Sequence, residues 1–235
     1  MLESFIMSVD LILASGSPRR KQLMTLAGWT FLTASADIDE QPLGGEPPQQ
    51  YVMRLAQGKC AAVKDALADA ENPAAIIVAA DTTVALDGEI LGKPAHAGDA
   101  QGMLRRLRGR PHQVYTALSL LYLPDSLALT DLCETQVMMR DYSDQEIEAY
   151  ISTGDPLDKS GAYAIQHIEF HPVESLDGCY ANVVGLPLCR LNRLLEQAGI
   201  EPARRPQAVC LGIDGQPCSV AGWIMSQPAA EENAA

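Results

Sequence analysis

Along most of the chain, short apolar runs alternate with stretches of helical spacing. Val9–Ala14 (VDLILA) is rich in branched residues and bounded by Ser15-Gly16-Ser17, which predicts a buried strand. Ser17-Pro18 then reads as a helix start, a serine N-cap followed by proline in the first turn. Leu23, Met24, Leu26 and Ala27 continue at helical spacing and Gly28 stops the helix. Trp29–Ala34 predicts a second strand. A proline- and glycine-rich loop at 41–49 leads to a helix over Pro48–Ala70. Ala75–Ala80 (AIIVAA) is another short buried strand, and Asp81-Thr82-Thr83 follows at its carboxyl end. Val84–Leu86, Asp87-Gly88 and Glu89–Leu91 suit a hairpin. Farther on, the pattern predicts a helix capped by Asp99 and ended by Gly109, strands at Val114–Leu123 and Thr135–Arg140, and a helix capped by Ser143. A turn at Gly154-Asp155-Pro156 and a segment over Val183–Ala198 that passes from Gly185-Leu186-Pro187 into a helix before Gly199 complete the series. Strand, tight turn, helix and strand within the first 35 residues mark an α/β fold.

Length and charge narrow this picture. The 235 residues allow one large domain or two small ones. A hydrophobic fraction of 47% is enough for a core and excludes a disordered chain, a collagen or a coiled coil. Thirty acidic against 17 basic residues give a net charge of −13, which argues against a general nucleic-acid partner. It leaves room for one small anion in a local basic pocket. Glu3 and Asp10 interrupt the N-terminal apolar residues, no cation precedes Arg19, and no segment is long enough to span a bilayer, so neither a signal peptide nor a membrane partner is expected. Six cysteines without CxxC spacing read as reduced thiols of a cytoplasmic protein, and the same lack of spacing disfavours zinc. From Glu201 the proline-rich composition predicts an irregular extension over 201–235, after a main unit over 1–200.

Several segments carry candidate chemistry. Ser15-Gly16-Ser17-Pro18-Arg19-Arg20-Lys21 joins a strand end to a helix start, whose free N–H groups and dipole attract anions. Cations in a first turn oppose the dipole, so stability explains Arg19, Arg20 and Lys21 poorly. Asp81, at a strand end, stands where α/β sheets bind ligands. Asp39-Glu40 could join it as oxygen ligands of a Mg²⁺-like ion. Lys93, fixed between Gly92 and Pro94, and Lys59 on the preceding helix are candidate cations. Leu157–Gln166 (LDKSGAYAIQ) surrounds an aromatic with small residues and ends in an amide, which suits close approach to a base edge. Each has a plainer explanation when taken alone: a solvated basic helix start, a turn aspartate, an acidic loop, surface lysines. Arg105, Arg106, Arg108 and Arg110 suit the C-terminus of a helix and are read as structural.

Taken in order, Ala14–Arg20 (ASGSPRR), Ile38–Glu40 (IDE), Leu55–Lys59 (LAQGK), Ala80–Thr82 (ADT), Gly92–Pro94 (GKP), Leu157–Gln166 and Val183–Leu188 (VVGLPL) resemble the Maf family of nucleotide pyrophosphatases over roughly residues 9–200. The resemblance implies a single elongated, two-lobed α/β domain, Maf/ITPase-like, around a twisted mixed sheet with a central cleft. It implies hydrolysis of a nucleoside triphosphate between its α and β phosphates, and a homodimer. Arg19, Thr82 and Gln166 match the type that acts on dTTP and UTP, or on modified pyrimidine triphosphates, in house-cleaning of nucleotide pools. On this reading Asp81 is the general base, and Glu40 with Asp81 anchors a divalent cation such as Mg²⁺, Mn²⁺ or Co²⁺. Ser15, Ser17, Arg20, Lys59 and Lys93 hold the phosphates, and Arg19, Thr82 and Gln166 sort the base. The competing readings are an N7-methyl-GTP pyrophosphatase and a non-catalytic nucleotide-binding regulator of septum formation.

Overall fold

The computed structural model describes residues 10–35, 37–67, 75–202, 204–215, 218–226 and 231–232. Val9, residues 68–70 of the second expected helix and the N-terminal segment expected to carry no signal peptide lie outside these. The first strand, β1 (Asp10–Ala14), leads through a tight turn into α1 (Pro18–Leu26) and the edge strand β2 (Leu32–Ala34). Trp29–Phe31, expected in the second strand, lie outside it; Leu32 there is 59% exposed. After α2 (Pro48–Ala66) comes β3, one continuous strand over Ala75–Leu86, which turns at Asp87-Gly88 into β4 (Glu89–Leu91). Both turn residues have positive φ, 54° and 80°, as a two-residue hairpin requires.

The second half follows the same alternation with longer strands. Helix α3 (Ala97–Leu107) is capped by the His96 ring, which accepts from the Asp99 N–H, and not by Asp99 as its residue type suggests. Strands β5 (Pro111–Tyr122) and β6 (Leu127–Met139) form a long antiparallel hairpin, so the strand expected at Thr135–Arg140 is only the end of β6. Ser143 caps α4 (Asp144–Ser152) in a full capping box with Glu146. Then come β7 (Val173–Asp177), the short α5 (Tyr180–Val184) and α6 (Leu188–Gln197). The span expected to be irregular carries α7 (Pro206–Asp214) and α8 (Ala221–Ser226); a backbone strand, β8 (Glu231–Glu232), pairs with β6. Pro206 supports its helix because proline is tolerated in a first turn.

The strands form one mixed sheet in the order β2-β1-β3-β5-β6-β7, with β4 on β3 and β8 on β6. β1 is parallel to both neighbours, and everything from β3 onward is antiparallel. Alternation along β3 assigns its faces. Ile76, Val78 and Ala80 pack against Leu23 and Met24 of α1 and against α6. Ala75, Ile77 and Ala79 pack against Cys60 and Val63 of α2. Beyond this, Val84 and Leu86 enter a second core with α3, α4, Tyr163 and Phe170, which forms the other lobe. No helix among the described residues is long and apolar enough to cross a membrane.

His112 is fully buried in that second core, with Nε2 2.7 Å from the Tyr163 hydroxyl. Burial pulls its pKa down to about 4, so the ring is neutral in the folded protein. A depressed histidine gives stability that is whole above the unfolded value near 6.5 and is lost as pH falls towards 4. The loss reaches about 3 kcal/mol at the acid end. Urea unfolding between pH 7 and pH 4.5 should therefore show a one-proton slope in the wild type that is missing in His112→Gln. Parallel slopes in the two proteins would contradict it.

Candidate active site

The site forms where the parallel part of the sheet ends. β1 pairs with β3 only as far as Leu13 beside Val78, and β4 rejoins β3 at Val84. Between them, Ala79–Thr83 keep β5 on one side and, among the described residues, have no paired strand on the other. Asp81 therefore lies in mid-strand and not at a strand end, yet it does stand at the carboxyl end of the parallel section. Alternation sends Asp81 to the α2 face and Thr82 to the α1 face, and both border a cavity of about 750 Å³. That volume suits a small ligand.

On the α2 face, Lys59 Nζ lies 2.6 Å from Asp81 Oδ1 and 2.6 Å from Glu40 Oε1. Glu40 comes from the loop after β2, held by the Tyr51 hydroxyl donating to its carbonyl (2.8 Å) and Arg54 donating to the Gln41 carbonyl (3.1 Å). The two carboxylates respond oppositely to the shared lysine. Asp81 is 7% exposed, and desolvation raises its pKa although Lys59 and Arg20 pull against it. Desolvation also pushes Glu40 up, but its more open position lets the hydrogen bond and charge of Lys59 prevail, and its pKa falls.

On the α1 face, Ser15 N–H closes the turn onto Leu13 O (2.9 Å), and Ser17 N–H donates to Ser15 Oγ (3.2 Å). Ser17 is the N-cap of α1, but its hydroxyl makes no capping bond, contrary to the role its type suggests. Arg20 reaches inward: Nε donates to Gly185 O (2.9 Å), Nη1 to Ser15 Oγ (3.3 Å) and Nη2 to Thr82 Oγ1 (3.0 Å). Arg19 and the exposed Lys93 border the same cavity and make no ion pair among the described residues.

The Leu157–Gln166 segment closes the far wall. Gly161 and Ala162 are consecutive left-handed residues, φ 70° and 59°. The Gly161 N–H donates to Gly92 O (3.1 Å), which ties this wall to the Lys93 loop. The Ala164 N–H donates to the Tyr150 hydroxyl (3.0 Å), which donates to Asp155 Oδ2 (2.7 Å). Gln166 is exposed at the cavity mouth. The ten residues that the family resemblance assigns to the site thus border one cavity: Ser15, Ser17, Arg19, Arg20, Glu40, Lys59, Asp81, Thr82, Lys93 and Gln166. Lys21 and Asp39 do not border it, and Asp39 Oδ1 instead accepts from the Gln41 N–H (2.9 Å). Three contributors escaped sequence reasoning. Lys159 is buried and bonded to Asp155 and Asp158, a pattern its acidic neighbours could have signalled. Thr116 and Asn182 carry no local signal at all. Arg105, Arg106, Arg108 and Arg110 are committed elsewhere, to Asp144, Glu89, Asp144 and Asp87.

The donor set fits a hard cation in part. Two carboxylates converge on one cationic position, and hard divalent ions accept one or two carboxylates when phosphates and water fill the remaining positions. Among the described residues no group of three His, Cys, Asp or Glu side chains could hold a metal alone. Chemically, the arrangement offers a buried proton acceptor, a helix start with hydroxyl donors and several cations within one small cleft.

An α/β sheet opened at β3 and lined in this way forms a cleft suited to a small anion. The chain belongs to the Maf family: residues 10–198 match the family described as Maf-like protein. Among its relatives is a dTTP/UTP pyrophosphatase of Geobacter sp. (strain M21), 44% identical over 190 residues, covering 81% of this chain and 96% of that protein. A dTTP/UTP pyrophosphatase of Dictyoglomus thermophilum is 44% identical over 194 residues, with 82% and 98% covered. One from Anaeromyxobacter dehalogenans is 44% identical over 203 residues, with 85% and 100% covered.

The tight wall at Gly161 is testable. A Cβ there would lie 2.9 Å from Val84 Cγ2, on a backbone of φ 70°. Gly161→Ala should cost about 3 kcal/mol through strain and overpacking. Chemical denaturation measures it, and an unchanged midpoint would refute the close approach.

Proposed function

We propose that this protein is a nucleoside triphosphate pyrophosphatase that hydrolyses dTTP and UTP, or modified pyrimidine triphosphates, to the monophosphate and pyrophosphate. The observation that carries the reading is Asp81: a buried carboxylate in the cleft, held by Lys59, with its pKa raised by burial. Raised basicity is what a general base needs at neutral pH. Relatives over 40% identical across nearly their whole length bear the name dTTP/UTP pyrophosphatase.

Water attacks the α-phosphorus while Asp81 accepts its proton. Arg20 and the Ser15 and Ser17 hydroxyls bind the phosphate oxygens from the α1 side, with Lys93 opposite. Lys59 keeps Asp81 ionised between turnovers and meets negative charge as it shifts to the leaving pyrophosphate. Glu40 and Asp81 would hold a divalent cation, Mg²⁺, Mn²⁺ or Co²⁺, which when bound neutralises phosphate charge and acidifies water. Arg19 and the Gln166 amide recognise the pyrimidine edge, whose acceptor, donor, acceptor order an amide can match. The −13 net charge supports a single nucleotide as partner over a nucleic acid. The six cysteines form no disulfide and five are buried, which supports a cytoplasmic location. The match of residues 10–198 supports a catalytic unit within residues 1–200, with 201–235 as an appended extension.

With divalent cation present, purified protein should release pyrophosphate from dTTP and UTP well before GTP or N7-methyl-GTP. Absence of release would sink the reading in favour of a nucleotide-binding regulator. Asp81→Asn should lower kcat by about 10²–10⁴-fold with the fold intact. Because the ionised form of Asp81 is required, the wild-type rate should rise with pH along an acid limb that Asp81→Asn lacks. An acid limb unchanged in Asp81→Asn would remove Asp81 as the base.

A further inference from the structure

Arg20 is held by more than its direct contacts. The Thr82 hydroxyl that accepts from its Nη2 lies 2.9 Å from the Thr116 hydroxyl, directly across the β3/β5 ladder. Thr116 Oγ1 in turn lies 3.1 Å from the carbonyl oxygen of Asn182. Proton counting gives this chain one direction. A carbonyl only accepts, so the single Thr116 proton goes to Asn182. Thr82 must then donate to Thr116, and its acceptor side is left for Arg20. The order is Arg20 to Thr82 to Thr116 to Asn182.

The chain closes into a ring. Asn182 lies in α5, and Gly185, just past the end of α5, accepts directly from Arg20 Nε (2.9 Å). α5 is itself fixed, because Asn182 Nδ2 donates to Val114 O (2.9 Å) and to Thr135 Oγ1 (2.9 Å). Thr116 and Asn182 are fully buried, so water cannot replace a missing link. Gly185 has φ 120°, and a Cβ there would stand 3.5 Å from Thr82 Oγ1.

We propose that Thr116 is a positioning residue, which orients Thr82 and through it fixes the Arg20 guanidinium for phosphate binding. Thr82 then serves the reaction through Arg20, its one hydroxyl proton being spent on Thr116 and withheld from the nucleobase. The kinetic part of this inference rests on the proposed pyrophosphatase activity, and its structural part does not. Thr116→Val keeps the shape and deletes the relay; Thr116→Ser keeps the hydroxyl.

The test pairs kinetics on dTTP with NMR of the Arg20 Nε–Hε signal, assigned by loss in Arg20→Lys. In wild type and Thr116→Ser that signal should be sharp and slowly exchanging; in Thr116→Val it should broaden or exchange quickly. Thr116→Val should lower kcat about tenfold with KM within about threefold, the size expected for one well-placed hydrogen bond that matters most as charge develops. Thr82→Val/Thr116→Val should be no slower than Thr82→Val alone, since both break one chain. An unchanged Arg20 signal and kcat in Thr116→Val, or equal damage in Thr116→Ser, would overturn the inference. Wild-type protein that releases no pyrophosphate would sink the proposed function instead, and the NMR comparison would still decide the relay.

Discussion

The site depends on β3 outrunning its parallel partner. β1 stops at Ala14 and turns sharply so that α1 can start, while β3 continues for eight residues past Val78, its last pair with β1. On that side Ala79–Thr83 have no paired strand among the described residues until β4 returns at Val84. The gap admits ligand to a strand that is otherwise buried on both faces. Period-two alternation then places Asp81 and Thr82, adjacent in sequence, on opposite faces. One meets Lys59 from α2, and the other meets Arg20 from α1. Two helices that never share a face of the sheet thereby contribute to one cleft.

Electrostatics follows from the same geometry. A buried carboxylate is costly unless paired, and Lys59 pairs Asp81 while burial still raises its basicity. Glu40, on the open side of the same lysine, stays a ready anion. The chain is strongly acidic, yet its cleft is not. Arg105, Arg106, Arg108 and Arg110 are bound to surface acids, and Arg190 and Arg193 to Asp131. The cations left to the cleft are few, which suits a small anion and disfavours a long polyanion.

What could be read from the sequence was what local rules decide. The β1–α1 turn, the Asp87-Gly88 hairpin and the Ser143 capping box each depend on a few neighbouring residues, and each is present. The ten site residues were legible because several stand in short motifs, and Asp81, Glu40 and Lys93 at loop or strand boundaries of the apolar pattern. Strand lengths were not. Asp81-Thr82-Thr83 interrupts an apolar run and imitates a strand end, although β5 carries the ladder through it. β6 hides in the same way, because Asp131, half-buried in mid-strand, is paired only through arginines about 60 positions away. Thr116 and Asn182 look like ordinary strand and helix residues, and only tertiary contact reveals their part. The prolines after residue 200 suggested irregular chain, but Pro206 opens a helix.

Burial outweighs the lysine and leaves Asp81 an unusually basic carboxylate at the open edge of β3, and the proposed chemistry depends on that balance. Carboxyl ¹³C NMR, following the Asp81 signal through an acid titration of the wild type and of Lys59→Met, tests it most directly. Asp81 should titrate above about 3.9 in the wild type and higher still without the lysine, which is the strongest influence holding its pKa down. A wild-type Asp81 that titrates at or below the ordinary value, or that does not move in Lys59→Met, would contradict it.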